Sequence, residues 1–169
     1  MKPSTFQLVY LFPLIVFAQT FIFNNFNLLK SIDPQIYILY FLILPITINQ
    51  MILLLIGFVM GASIDLLLDM PAINTIASIT TLLIRPVIIN AVYKKNQSKL
   101  IAENRIVKLH RNIVLVVSII LLHQLIYFLV DVSMFKNLIG FLKNFILTSL
   151  LTILVISTLL GFKLFADES

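Results

Sequence analysis

The sequence predicts an all-α, polytopic membrane protein of about six transmembrane helices, and three observations carry that prediction. The chain has 169 residues, 60% of them hydrophobic, with a mean hydropathy of +1.09. Only 11% are charged, against about 25% in a typical soluble domain. The apolar residues fall into long runs, and about 20 of them cross roughly 30 Å of hydrocarbon. With no cysteine in the chain, disulfides, iron–sulfur clusters and thiolate zinc sites are excluded. The net charge of +5 is read first through membrane topology, not nucleic-acid binding.

The whole chain reads as a single integral membrane domain, 1–169. Its first span is expected over about 6–23, ended by "NNFN" at 24–27. Lys2 before an apolar run mimics a signal peptide. The run is longer than the usual h-region of about 7–15 residues, and no small-x-small cleavage site follows, so an uncleaved span is expected. The second span, about 36–48, is short and holds Pro45; so brief a run also suits a tilted or re-entrant piece. The third covers about 51–68 and the fourth about 73–93. A polar stretch at 94–111 interrupts the pattern before the fifth and sixth spans at about 113–130 and 138–162.

Orientation follows from the basic residues. The interrupting stretch holds Lys94, Lys95, Lys99, Arg105, Lys108 and Arg111 against Glu103 alone. Basic residues accumulate in cytoplasmic loops, which places this loop inside, and six spans then bring both termini inside with Lys2 and Lys163. The loop's apolar residues do not share one helical face. It is expected to anchor the chain near anionic lipid or to dock a cytoplasmic partner.

The third span carries the sharpest signal. Gly57, Gly61 and Asp65 are four residues apart and form one slowly drifting stripe. Gly-x-x-x-Gly lets two membrane helices approach closely, so Asp65 is expected on the packing face. A second carboxylate, Asp69, follows at the helix end. An isolated buried charge is costly, and the opposite sign lies in the next span, at Arg85. The depths differ by roughly 9 Å at 1.5 Å per residue, within reach of a long side chain on a tilted helix. Three arrangements stay open: an Asp65–Arg85 pair, direct or through water; Arg85 turned inward to the membrane surface; or pairing with another chain. Pro86 frees a carbonyl one turn earlier, a further possible partner for Arg85.

Gln19, His123 and Gln124 are expected to make interhelical hydrogen bonds, and Asn24, Asn25 and Asn27 to end the first helix or to form a site at the outer face. His123 has no companion at metal-ligand spacing, and no metal or cofactor is expected. No nucleophile elbow, zinc-binding helix or phosphate-cradling loop occurs, the chain has only four glycines, and an enzyme is not expected.

The stretch "GFVMGASIDLLLDMPAINTIASITTLLIRPVII" at 57–89 resembles the rod shape-determining protein MreD family, particularly its Bacteroidota-like branch. That branch shows a Gly-rich third helix ending in Ile-Asp-Leu, a small-residue segment, and Arg-Pro in the fourth helix. Upstream, "QTFIFNNFNLLKSIDPQIYILYFLILP" at 19–45 is similar to the family's pattern between the first two spans. "DMPAIN" departs from it, where the family more often carries Gly or His. The resemblance covers about the first 90 residues; the remainder matches in span count and hydropathy.

The resemblance implies a non-enzymatic scaffold of the bacterial inner membrane, part of the cell-elongation machinery that directs peptidoglycan synthesis and keeps rod shape. It implies association with MreC, and through it with MreB, RodA and the elongation-specific penicillin-binding protein. It also implies a six-helix fold resembling the membrane substrate-binding subunits of vitamin-uptake transporters. A small-molecule-binding transporter subunit is therefore the alternative function, since fold does not fix function.

Overall fold

The structure is a computed structural model that describes residues 5–25, 33–46, 48–93, 112–131 and 138–168. These residues form helices and no strand. Helix α1 (Thr5–Phe17) continues as a π-helix (Ala18–Ile22) and a 3-10 turn (Phe23–Asn25). Then come α2 (Ile38–Ile43), α3 (Gln50–Leu68), α4 (Ile73–Val92), α5 (Ile113–Val130) and α6 (Leu138–Glu168). The basic stretch 94–111, with Lys94, Lys95, Lys99, Arg105, Lys108 and Arg111, lies outside the described residues, as do Lys2, Lys30, Asn27 and Lys136.

Among the described residues, four helices are long and apolar enough to cross a membrane: α3, α4, α5 and the Leu138–Gly161 part of α6. Their outward faces are apolar, with Leu66 84%, Ile139 80% and Met51 75% exposed. Water would penalise such faces, whereas hydrocarbon accepts them. The first helix has a shorter apolar stretch, Leu8–Ile22.

The segment expected as a second span departs most from expectation. Its helix, α2, has six residues, about 9 Å of rise against roughly 30 Å of hydrocarbon. Proline sets the limit. A residue before proline is driven out of the helical region, and Leu44, preceding Pro45, is extended at φ −62°, ψ 137°. The short helix is central: Tyr37, Ile38, Phe41 and Leu42 are fully buried. Tyr37 and Phe41 join a core cluster with Ile15, Met60, Ile64 and Leu82. Ile38 and Leu42 join a second with Ile89, Leu115, Ile119 and Ile156. Its apolarity reflects protein packing on every side rather than contact with lipid.

Helices α3 and α4 form the tightest hairpin. A Cβ on Gly61 would sit 2.7 Å from both the Asn74 carbonyl oxygen and the Thr75 nitrogen, and one on Gly57 2.8 Å from Leu82 Cδ1. Those glycines are where the α4 backbone comes closest. The turn bends through two left-handed residues, Asp69 (φ 53°) and Ala72 (φ 61°). Asp visits that region readily; alanine pays about 1–2 kcal/mol there.

Candidate functional site

The polar residues of the bundle interior converge on helix ends. Helix α4 begins at Ile73, and its first N–H groups have no partner within the helix. Asp65, 5% exposed, reaches across from α3 to fill that need. Its Oδ1 accepts from the Asn74 N–H at 3.0 Å and from Asn74 Nδ2 at 2.9 Å. Its Oδ2 accepts from the Thr75 N–H at 2.7 Å and from the Thr75 hydroxyl at 2.5 Å. Both oxygens are satisfied by donors at the positive end of a helix dipole.

Arg85 does the converse. It is 2% exposed, and its Nη2 donates to the Leu44 carbonyl, an acceptor left over at the C-terminal end of α2 because Pro45 halts the helix. A cation belongs at that end of a helix. Asp65 and Arg85 therefore do not contact each other directly; of the arrangements the sequence left open, the direct pair is not the one seen. Thr75, which Asp65 grips, lies ten residues before Arg85 on α4, about 15 Å along the helix. Nor does Arg85 take the carbonyl that Pro86 releases. That group, of Leu82, accepts from Gln50 Nε2 at 3.3 Å.

The N-terminal end of α2 is held just as specifically. The π-helix widens the first helix where Gln19 turns inward, buried. Gln19 Oε1 accepts from the Ile36 N–H at 2.7 Å and the Tyr37 N–H at 3.4 Å, while its Nε2 donates to the Pro34 carbonyl at 3.2 Å. From α6, the Thr152 hydroxyl oxygen accepts from the Gln35 N–H at 3.2 Å and from Gln124 Nε2 at 3.1 Å.

Tyr37 joins the two sets. Its hydroxyl donates to Asn74 Oδ1 at 3.0 Å and meets His123 Nε2 at 2.9 Å. Since its proton goes to Asn74, His123 carries a hydrogen on Nε2 and donates it to the tyrosine oxygen. An unbroken chain runs Asp65–Asn74–Tyr37–His123, linking α3, α4, the start of α2 and α5. At the end of the bundle that carries the α3–α4 turn, this chain borders a cavity of about 80 Å³. Gln19, Asp33, Gln35, Asn74, Tyr127 and Asp131 are among its lining residues. Among the described residues, no group of three or more His, Asp or Glu side chains is placed to hold a metal ion.

No protein-family model, no curated protein and no solved structure matches the chain. Its own geometry therefore carries the functional reading.

Of the residues singled out in the sequence, Gly57, Gly61 and Asp65 meet at the α3–α4 contact, while Gln19, His123 and Gln124 all bond across helices. Arg85 stands apart from Asp65. Tyr37, Asn74, Thr75 and Thr152 were not anticipated. A signal existed for two of them: Asn74 and Thr75 stand in the first turn of the helix that follows "DMPA", where N–H groups without a helical partner call for an acceptor.

Proposed function

We propose that the protein is a non-enzymatic membrane scaffold, with the resemblance to the MreD family pointing to the cell-elongation machinery. The observation that carries this reading is how the interior polar groups are used. Asp65, Arg85, Gln19 and Thr152 bind the backbone around helix ends, so they fix a shape instead of presenting reactive or ligand-binding atoms. The polar cavity of about 80 Å³ is small beside typical small-molecule sites of roughly 300–1,000 Å³. The larger, open depression of about 490 Å³ between the first helix and α3 has Ser63 as the one polar residue of its lining among the described residues. Neither gathers the convergent polar groups that a vitamin site needs. The lipid-facing surface then serves partners, MreC first, and peptidoglycan synthesis through them. The basic stretch 94–111 and both termini are assigned to the cytoplasmic side of an inner membrane with six crossings, α2 and its flanking residues making the second.

Purification of the tagged chain from its native membrane tests the scaffold. Co-purification of MreC, and loss of rod shape on depletion, are expected; a chain that comes without MreC and whose depletion leaves cells rod-shaped overturns the reading. For orientation, a Gln97→Cys variant should resist an impermeant thiol reagent applied outside the cell, a clean readout because the chain has no cysteine of its own.

A further inference from the structure

The cavity beside the Tyr37–Asn74 link is rich in acceptors, and among the described residues none of its lining side chains is basic. Two carboxylates, Asp33 and Asp131, border it. Two further lining residues are almost fully enclosed: Gln35, 5% exposed, and Thr148, 3% exposed. Gln35 Oε1 and Thr148 Oγ1 are buried without a hydrogen-bond partner. An amide oxygen can only accept, and buried polar atoms of this kind are nearly always satisfied. A group that satisfies the Gln35 oxygen must bring a donor or positive charge, while the Thr148 hydroxyl oxygen can accept from the same group.

We infer that this cavity binds one compact monovalent cation, either an inorganic ion or the ammonium head of a small amine. Size and charge select the class. A volume of about 80 Å³ accommodates an ion with a few waters, each water needing roughly 10–15 Å³ of such space. Divalent ions favour several carboxylates or a strict octahedral shell, and among the described residues no cluster of three acidic or imidazole groups forms. The Asp33 carboxylate with the neutral oxygens of Gln35 and Thr148 suits a single positive charge. Partial burial already pushes the Asp33 carboxyl above its usual pKa range, a penalty on its charged form that a neighbouring cation opposes. The site is independent of the scaffold reading and adds a ligand to it.

Thermal unfolding of the purified full chain in detergent tests the site in sodium, potassium, methylammonium or N-methyl-D-glucamine chloride at matched ionic strength. The bulky glucamine cation does not fit the cavity. At ten times its Kd, a bound cation raises Tm by about 3–6 °C over the glucamine salt, saturably, and the rise should shrink in Asp33→Asn and Thr148→Val. A response to sodium or potassium alone identifies an inorganic ion; a stronger response to methylammonium identifies an amine head. Equal Tm in all four salts overturns the inference, as does a rise left intact in both variants. Should the variants fail to fold, saturable binding of radiolabelled sodium, rubidium or methylammonium to the wild-type protein decides, and no saturable binding of any of the three overturns it.

Discussion

The two buried charges occupy opposite kinds of helix end and are served very differently. At the α3–α4 turn, both oxygens of Asp65 are met by donors from Asn74 and Thr75. At the far end of α2, Arg85 makes one hydrogen bond, to Leu44, and its Nε has no partner. A carboxylate has only acceptor sites, and a helix N-terminus offers several donors side by side. A guanidinium has five donors, and a helix end interrupted by proline offers it few acceptors. The acid is thus saturated by local geometry, while the base is only partly compensated. Charge alone does not rank two buried groups; the number of partners their surroundings supply does.

That contrast breaks most visibly by deletion. Asp65→Ala leaves buried N–H groups of α4 without acceptors, each costing about 1–3 kcal/mol, so a loss of at least about 3 kcal/mol in unfolding free energy is expected. Arg85→Met should cost less, about 1–2 kcal/mol, because desolvation of a poorly partnered cation disappears with it. Denaturant or thermal unfolding in detergent ranks the pair; an arginine variant as damaging as the aspartate variant would refute the contrast.

Gly61→Leu attacks the Asp65 end from the other side. Its side chain would push on the Asn74 and Thr75 backbone that Asp65 grips, an overpacking cost of about 1–3 kcal/mol. Phe58→Leu, on a half-exposed face, serves as the control and should change Tm little. Similar melting of the two variants would mean that α3 and α4 can separate without penalty.

A double-mutant cycle sharpens the comparison further. With Asp65 and Arg85 serving different helix ends, losses in Asp65→Asn and Arg85→Gln should add within about 0.5 kcal/mol. A coupling well above that would restore the direct pair. The smallest effect is a gain. Ala72→Gly relieves the left-handed backbone just before the capped residues and should add about 0.5–1 kcal/mol, seen as a slightly higher Tm.

Hydropathy made the long helices at 51–68, 73–93 and 113–130 legible, and a capping asparagine stands just before the first and the last of these runs. Asn49 accepts from the Met51 N–H and Asn112 from the Val114 N–H, so side chains mark those boundaries in the sequence itself. The same measure could not tell what surrounds 36–48, since a residue buried in protein and one facing lipid carry the same letter. Gly57 and Gly61 were legible because close approach demands small residues at a fixed spacing. The partners of Asp65 and Arg85 were not, because most of them are main-chain groups: an N–H or a carbonyl freed by a helix end has no letter of its own. Tyr37 and Thr152 were hidden for a further reason, as the bonds they make depend on how distant helices pack.

The way α2 is held has a consequence for biogenesis. One anchor at its N-terminal end, Thr152, lies 117 residues after Gln35, whose N–H it accepts. Unsatisfied main-chain groups cannot rest in hydrocarbon, and six residues of helix cannot satisfy themselves. While a ribosome is still making the second half of the chain, residues 33–46 have no finished place to go. Until α6 arrives, the Gln35 N–H lacks the acceptor that Thr152 supplies, and Ile38 and Leu42 lack the packing of Ile156 and Leu160. The centre of the molecule is therefore the last part to be completed, and a chain cut short before Thr152 would reach the membrane with its middle unfinished.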